Sequence, residues 1–135
     1  MINRRKLLDY RKKLGRRGER AAGELCRIFG WKILDTNWKS RAGELDLVAH
    51  SGDAVVFIEV KTIRWRPGFV PAANLSNRQR RRNFLAGRLF MKCAGFRNTV
   101  GRFELWELVF RGPFLVSLHR NYDYIADILP AGGGA

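Results

Sequence analysis

Four charged side chains sit where strands ordinarily carry none. Glu44 and Asp46 belong to the run Glu44-Leu45-Asp46-Leu47-Val48-Ala49-His50. Glu59 and Lys61 belong to Ala54-Val55-Val56-Phe57-Ile58-Glu59-Val60-Lys61-Thr62-Ile63. Both runs alternate as half-buried strands do, and Ser51-Gly52-Asp53 between them reads as a tight hairpin turn. With Gly52-Asp53 as the central pair of a type II′ turn, Asp46 falls opposite Glu59 and Glu44 opposite Lys61. Opposed residues share a face, with Cβ atoms about 4.5–5.5 Å apart. Two carboxylates that close repel unless a proton or a cation lies between them. Oxygen donors of this type suit Mg²⁺ or Mn²⁺. Lys61, on the same face, is placed to hold a developing negative charge or to orient water. A solvated strand face with alternating charge is the plainer explanation. Against it, Val55 and Phe57 precede Glu59 on that face, which is therefore not simply polar.

The remaining sequence supplies the elements that must position these groups. Residues 1–14 form a basic lead, an arm or a helix, carrying Leu7, Leu8 and Leu14, and Gly15 and Gly18 are expected to interrupt it. Residues 21–29 read as an amphipathic helix stopped by Gly30. A strand is expected at 31–38, followed by the hairpin at about 44–50 and 54–62. Pro67, Gly68 and Pro71 mark a loop. Ser76 reads as an N-cap, with Gln79 completing a capping box, for a helix reaching about residue 94 and burying Phe84, Leu85, Leu89 and Phe90. Two strands, 102–110 and 114–119, flank Arg111-Gly112-Pro113, and the glycine-rich tail at 130–135 is expected to be disordered. The result is one α/β domain at 15–129 in the order α-β-β-β-α-β-β. A three-stranded antiparallel meander is joined by a crossover helix to further strands. The pattern leaves open whether the helices cover one face of the sheet or both.

In 135 residues the net charge is +14. Residues 1–20 hold nine Lys/Arg against two acids, and residues 78–92 hold six against none, so two segments carry nearly the whole excess. Concentration of this kind is the footprint of a polyanion partner, with nucleic acid first. Arg16 and Arg17 in the first segment, and Arg78, Arg80, Arg81, Arg82 and Arg88 in the second, are the candidate phosphate contacts. No apolar run reaches membrane-spanning length and no apolar signal core follows the basic start, which leads to the expectation of a cytoplasmic protein without a membrane partner. Cys26 and Cys93 read as reduced, buried small hydrophobes. His50 and His119 are too few and too far apart for a zinc site, and His50 reads as a surface residue.

Several segments match a known pattern in order: Gly15-Arg16-Arg17-Gly18-Glu19-Arg20-Ala21-Ala22, Asn37-Trp38-Lys39-Ser40-Arg41-Ala42-Gly43-Glu44-Leu45-Asp46-Leu47-Val48, Phe57-Ile58-Glu59-Val60-Lys61-Thr62 and Arg102-Phe103-Glu104-Leu105. They resemble the PD-(D/E)XK nuclease superfamily and, more narrowly, the YraN family of small bacterial proteins similar to archaeal Holliday-junction resolvases. The resemblance implies a restriction-endonuclease-like fold. Asp46, Glu59 and the Val60 main-chain carbonyl would ligate the metal, Lys61 would position water, and Glu19 would be an additional acid. It also implies a homodimer and a metal-dependent endonuclease acting on DNA at branched or single-stranded regions. A non-catalytic module that binds DNA or structured RNA through a dormant nuclease fold is the alternative. Gln79 stands where the family carries a Lys-Gln pair, here with Arg78 in place of lysine. It would touch phosphate or a water, or serve only the capping box. Ile63 stands where many relatives have arginine, and Glu104 where the family commonly has aspartate.

Overall fold

The computed structural model describes residues 3–71, 75–122 and 124–125; the tail at 130–135 lies outside them. The elements run α1 (Arg4–Ile28), β1 (Lys32–Lys39), β2 (Glu44–His50), β3 (Ala54–Arg64), α2 (Asn77–Cys93), β4 (Val100–Arg111) and β5 (Phe114–Asn121). The strands form one five-stranded sheet in the order β1-β2-β3-β4-β5. Only the β3–β4 pair is parallel, because α2 returns the chain to the starting edge before β4 begins. This is the mixed α/β architecture expected of a restriction-endonuclease-like chain.

The hairpin has the register that a Gly52-Asp53 turn dictates, with His50 opposite Val55 and Leu47 opposite Ile58. Gly52 takes φ 105°, and the Ser51 N–H donates to the Ala54 carbonyl at 2.9 Å. Alternation along β3 then sorts the core onto two faces. Val56 and Ile58 join Leu47, Ala49, Trp106 and Leu108 beneath Ala22 and Cys26 of α1. Val55 and Phe57 join Val48 beneath Ala86 and Phe90 of α2. The helices therefore cover opposite faces, which settles the arrangement the pattern left open.

Three expectations need correction. First, Gly15 and Gly18 do not interrupt the first helix: α1 runs through both. A helical glycine costs about 1 kcal/mol relative to alanine, and packing outweighs that here. At Gly18 a Cβ would lie 1.8 Å from Thr62 Oγ1, so the missing side chain lets α1 settle directly on β3. Second, Leu85 is exposed, while the buried stripe of α2 is Asn83, Ala86, Gly87 and Phe90. The helix is rotated so that a polar residue, not Leu85, faces the sheet. Third, Cys93 is exposed at the end of α2, and only Cys26 is buried; both thiols are free.

Between α1 and the sheet, Glu104 is fully buried and its charge is matched on both oxygens. Arg102 Nε donates to Oε2 at 3.0 Å, while Arg120 Nε and Trp106 Nε1 donate to Oε1 at 2.8 and 2.9 Å. The Arg120 guanidinium also lies 4.9–5.4 Å from the rings of Phe29, Trp31, Trp106 and Tyr122. Trp106 is wholly internal, whereas Trp65 and Phe114 are exposed. Among the described residues, no helix is long and apolar enough to cross a membrane.

Removing the Glu104 carboxylate strands two guanidinium groups against aromatic rings. Glu104→Ala is expected to lower stability by about 2–4 kcal/mol in urea unfolding, and Glu104→Gln by less because it retains an acceptor.

Candidate functional site

The sheet opens at one point. β2 pairs with β3 from His50 to Leu47 and the ladder stops there, while β2 continues against β1 to Glu44 and β3 continues against β4 to Arg64. In the resulting notch the Val60 N–H donates to Asp46 Oδ2 at 2.9 Å. A side-chain carboxylate thus takes the place of a ladder carbonyl, and Asp46 is held by the backbone of the strand that carries Glu59 and Lys61. The Asp46 and Glu59 carboxyls share a hydrogen bond, both half-buried, and Lys61 lies close enough to favour the ionised form of each.

Glu19 reaches the same notch from α1. The Gly18 contact brings the helix down, and Asn37 on β1 hydrogen-bonds the Glu19 carboxylate. Asn37 has φ 52°, a left-handed conformation that asparagine tolerates better than most residues. Glu44 is exposed at the rim, and its charge opposes ionisation of both Asp46 and Glu19. Acids from two faces of the sheet therefore converge where β2 and β3 part.

Burial sets the electrostatics. It pushes the Glu59 carboxyl up to about 8, with the adjacent Asp46 charge adding to the rise and Lys61 opposing it. Asp46 is raised by burial, against the pull of the Val60 N–H, Glu59 and Lys61. Glu19 is raised by burial first and by the Asp46 charge second. One proton shared between Asp46 and Glu59 is the expected state of the cation-free pair near neutral pH.

Behind Glu59 stands a polar relay that sequence reading missed. Asn83, 2 % exposed, donates to Glu59; its Oδ1 accepts from Gln79 Nε2 at 3.1 Å, and its Nδ2 lies 3.4 Å from the Tyr124 hydroxyl. Gln79 therefore does not complete a capping box. Ser76 caps α2 by accepting the Gln79 N–H at 3.1 Å, but the Gln79 amide turns inward to Asn83. The signal was in the sequence, since Gln79 and Asn83 are one helical turn apart on the same face. His50 is remote from the acids, stacked on Phe96 with Nδ1 accepting the Gly52 N–H.

The seven candidate arginines divide into two groups. Arg16, Arg78, Arg81, Arg82 and Arg88 are exposed. Arg17 is committed to the fold, donating to the Gly112 carbonyl at 2.7 Å and lying 4.7 Å over the Phe110 ring. Arg80 is likewise engaged, with the Tyr124 carbonyl and the Asn77 side chain.

The donor set is compatible with a hard divalent cation. Asp46, Glu59 and the Val60 carbonyl offer oxygen atoms only, and the two acids, both raised by burial, meet where a cation would neutralise them. Among the described residues, no group of three or more His, Cys, Asp or Glu is assembled as a metal cage.

The raised carboxyls have a measurable consequence. Glu59 binds its proton more tightly in the folded chain than in the unfolded one, where its value is near 4.5. The stability it contributes is complete below about pH 4.5 and is lost as pH rises through about 8. Cation-free wild type should therefore lose on the order of a few kcal/mol, relative to Glu59→Gln, between pH 5 and 9. Parallel urea titrations of the two proteins in EDTA check this.

Comparison with known proteins places this chain in a family. Residues 18–108 match the profile of the uncharacterised protein family UPF0102. A UPF0102 protein of Myxococcus xanthus is 34% identical over 105 residues, 76% of this chain and 81% of that protein. The UPF0102 protein STH1475 of Symbiobacterium thermophilum is 33% identical over 97 residues, covering 72% and 82%. One from Streptomyces griseus is 50% identical over 62 residues, and there the match spans about half of the relative, 51% of its length. The matched segment contains Glu19, Asp46, Glu59, Lys61, Gln79 and Asn83, and with it the chain belongs to UPF0102, the YraN family.

Proposed function

We propose that this protein is a metal-dependent phosphodiesterase acting on DNA. The observation that carries the reading is the hydrogen bond between two half-buried carboxyls, Asp46 and Glu59, beside the Lys61 ammonium in a break of the sheet. A structural role explains this poorly, because two acids withdrawn from water lower stability once both ionise, unless a cation neutralises them.

Asp46, Glu59 and the Val60 carbonyl would hold Mg²⁺ or Mn²⁺, which supplies Lewis acidity toward a phosphate oxygen and toward water. The chain's own groups do the rest. Lys61 opposes the charge that grows on the non-bridging oxygens as water attacks phosphorus. Glu19, on the α1 side of the notch, orients the attacking water through its carboxylate. Asn83 and Gln79 fix the direction of the Glu59 carboxyl and are positioning residues. Exposed Arg16, Arg78, Arg81, Arg82 and Arg88 hold the phosphate backbone without reading its sequence.

A second reading, a binding module without turnover, is favoured by one observation: among the described residues, no cage of three acidic or other ligating side chains is preassembled.

Two measurements separate the readings. Mg²⁺ or Mn²⁺ at pH 8 should raise the melting temperature of wild type and leave that of Asp46→Asn unchanged; no rise in a wild type that still binds DNA favours the module. On a panel of branched, flapped, single-stranded and duplex DNAs with Mn²⁺, Lys61→Ala should lower the cleavage rate about 10²- to 10³-fold. Undiminished cleavage by that variant would place the activity elsewhere. In binding titrations without metal, Arg81→Ala should weaken all sequences alike and reduce the slope of log affinity against log salt by about one.

A further inference from the structure

α1 carries an apolar stripe that the sheet covers only in part. Gly18, Ala22 and Cys26 are buried on it, but the same stripe continues toward the N-terminus as Leu14, Tyr10 and Leu7, with Leu7 38 % and Tyr10 45 % exposed. These residues overhang the end of β3 and enclose, with Val60 and Lys61, a recess of about 380 Å³ that has Arg11 on its rim. Its size falls within the range of about 300–1,000 Å³ typical of small-molecule sites. Tyr10 also borders a second recess of about 230 Å³, lined by Arg17, Arg64 and Phe110. Tyr10 thus lines both a space that reaches Lys61 of the notch and a space that reaches two guanidinium groups.

We propose that this recess receives the unpaired nucleobase of a DNA strand whose neighbouring phosphate lies at Lys61, with Tyr10 as the surface on which the base stacks. The proposal rests on the phosphodiesterase reading for the phosphate and adds the group that would select the strand: Tyr10, which can stack only on a base free of its partner. A purely apolar occupant, such as a lipid chain or a hydrophobic helix, does not match the charge. Residues 4–16 carry seven Lys/Arg against the single acid Asp9, and the wall of the recess holds Arg11 and Lys61 against one carboxylate, Glu19. A flat, weakly polar ring joined to phosphates does match it, because aromatic stacking tolerates every base while the cations follow the backbone. In duplex DNA the bases are already stacked on one another and paired, so only a single strand, a flap or a melted end can offer one.

Binding of a fluorescent twelve-nucleotide oligothymidylate and of a blunt hairpin duplex, in EDTA at one fixed salt concentration, tests this without any cleavage. Tyr10→Ala should weaken the single strand about 5- to 100-fold and the duplex by less than twofold, and Tyr10→Phe should behave as wild type. Because Tyr10 is partly exposed, the alanine variant is expected to keep the wild-type melting temperature within a few degrees. Equal losses for both ligands, or none for the single strand, would overturn the proposal, as would tighter binding of the matching oligouridylate RNA than of DNA. The outcome is independent of the phosphodiesterase reading. A protein that shows the Tyr10 effect but never cleaves defeats that reading alone, and one that cleaves with no Tyr10 effect defeats this proposal alone.

Discussion

The site depends on one hydrogen bond, from the Val60 N–H to the Asp46 carboxylate. A backbone N–H in the middle of a sheet must find an acceptor, and an unpaired one there costs on the order of 1–3 kcal/mol. At this point β2 has turned away to follow β1, so no strand carbonyl is available. Asp46 supplies the acceptor from its side chain. The same contact that heals the sheet draws an acid inward against Glu59, so the break in the ladder and the carboxyl pair are a single feature. Neither strand can be moved without losing both.

Two further constraints turn the notch into an enclosed site. The absent side chain at Gly18 sets the height of α1 over β3, and this height brings Glu19 within range of Asp46. On the opposite face, α2 is rotated so that Asn83 rather than Leu85 points inward, which lets Gln79 and Tyr124 reach Glu59 through one amide. Rotation in the other sense would bury another leucine and leave Glu59 without a donor. Part of the apolar burial available to α2 is thus given up for a polar contact, as expected where a site and a core share one helix face.

The sheet and its acids were legible in the sequence for a definite reason. A two-residue turn fixes register, and a period of two fixes sidedness, so the shared face of Asp46 and Glu59 follows from numbering; the ladder itself ends at Leu47–Ile58, short of the expected pairs Asp46–Glu59 and Glu44–Lys61. What stayed hidden depends on contacts between elements distant in sequence. Gly15 and Gly18 read as breaks because propensity is local, whereas the packing of Gly18 against Thr62 spans 44 positions. Asn83 was passed over because periodicity treats a polar residue as outward, and only Glu59 makes it worth burying. Glu104 read as a departure from a family pattern; its partner Arg120 lies on a separate strand, and no spacing rule joins them. Arg17 and Arg80 were grouped with the free cations because composition counts charge without showing which guanidinium groups are already bonded.

The charge distribution finally explains why a strongly basic protein would conceal acids at its centre. Under the proposed function, exposed arginines on α1 and α2 would attract phosphate at long range and without regard to sequence. At short range a phosphodiester entering the notch would meet Glu19, Glu44, Asp46 and Glu59, and would be repelled unless their charge were neutralised. A proton on Glu59 would do this in part; a divalent cation would do it more fully and add attraction for the phosphate oxygens. Proton and cation would then compete for one place, and cation affinity would rise with pH as the proton leaves Glu59. Over the same interval the cation-free fold weakens, because the ionised pair is left uncompensated. The two effects have one origin, the burial that holds Asp46 against the backbone of β3. In the proposed function, approach of the polyanion would therefore be governed by the surface, and its admission by whatever occupies the space between two carboxyls.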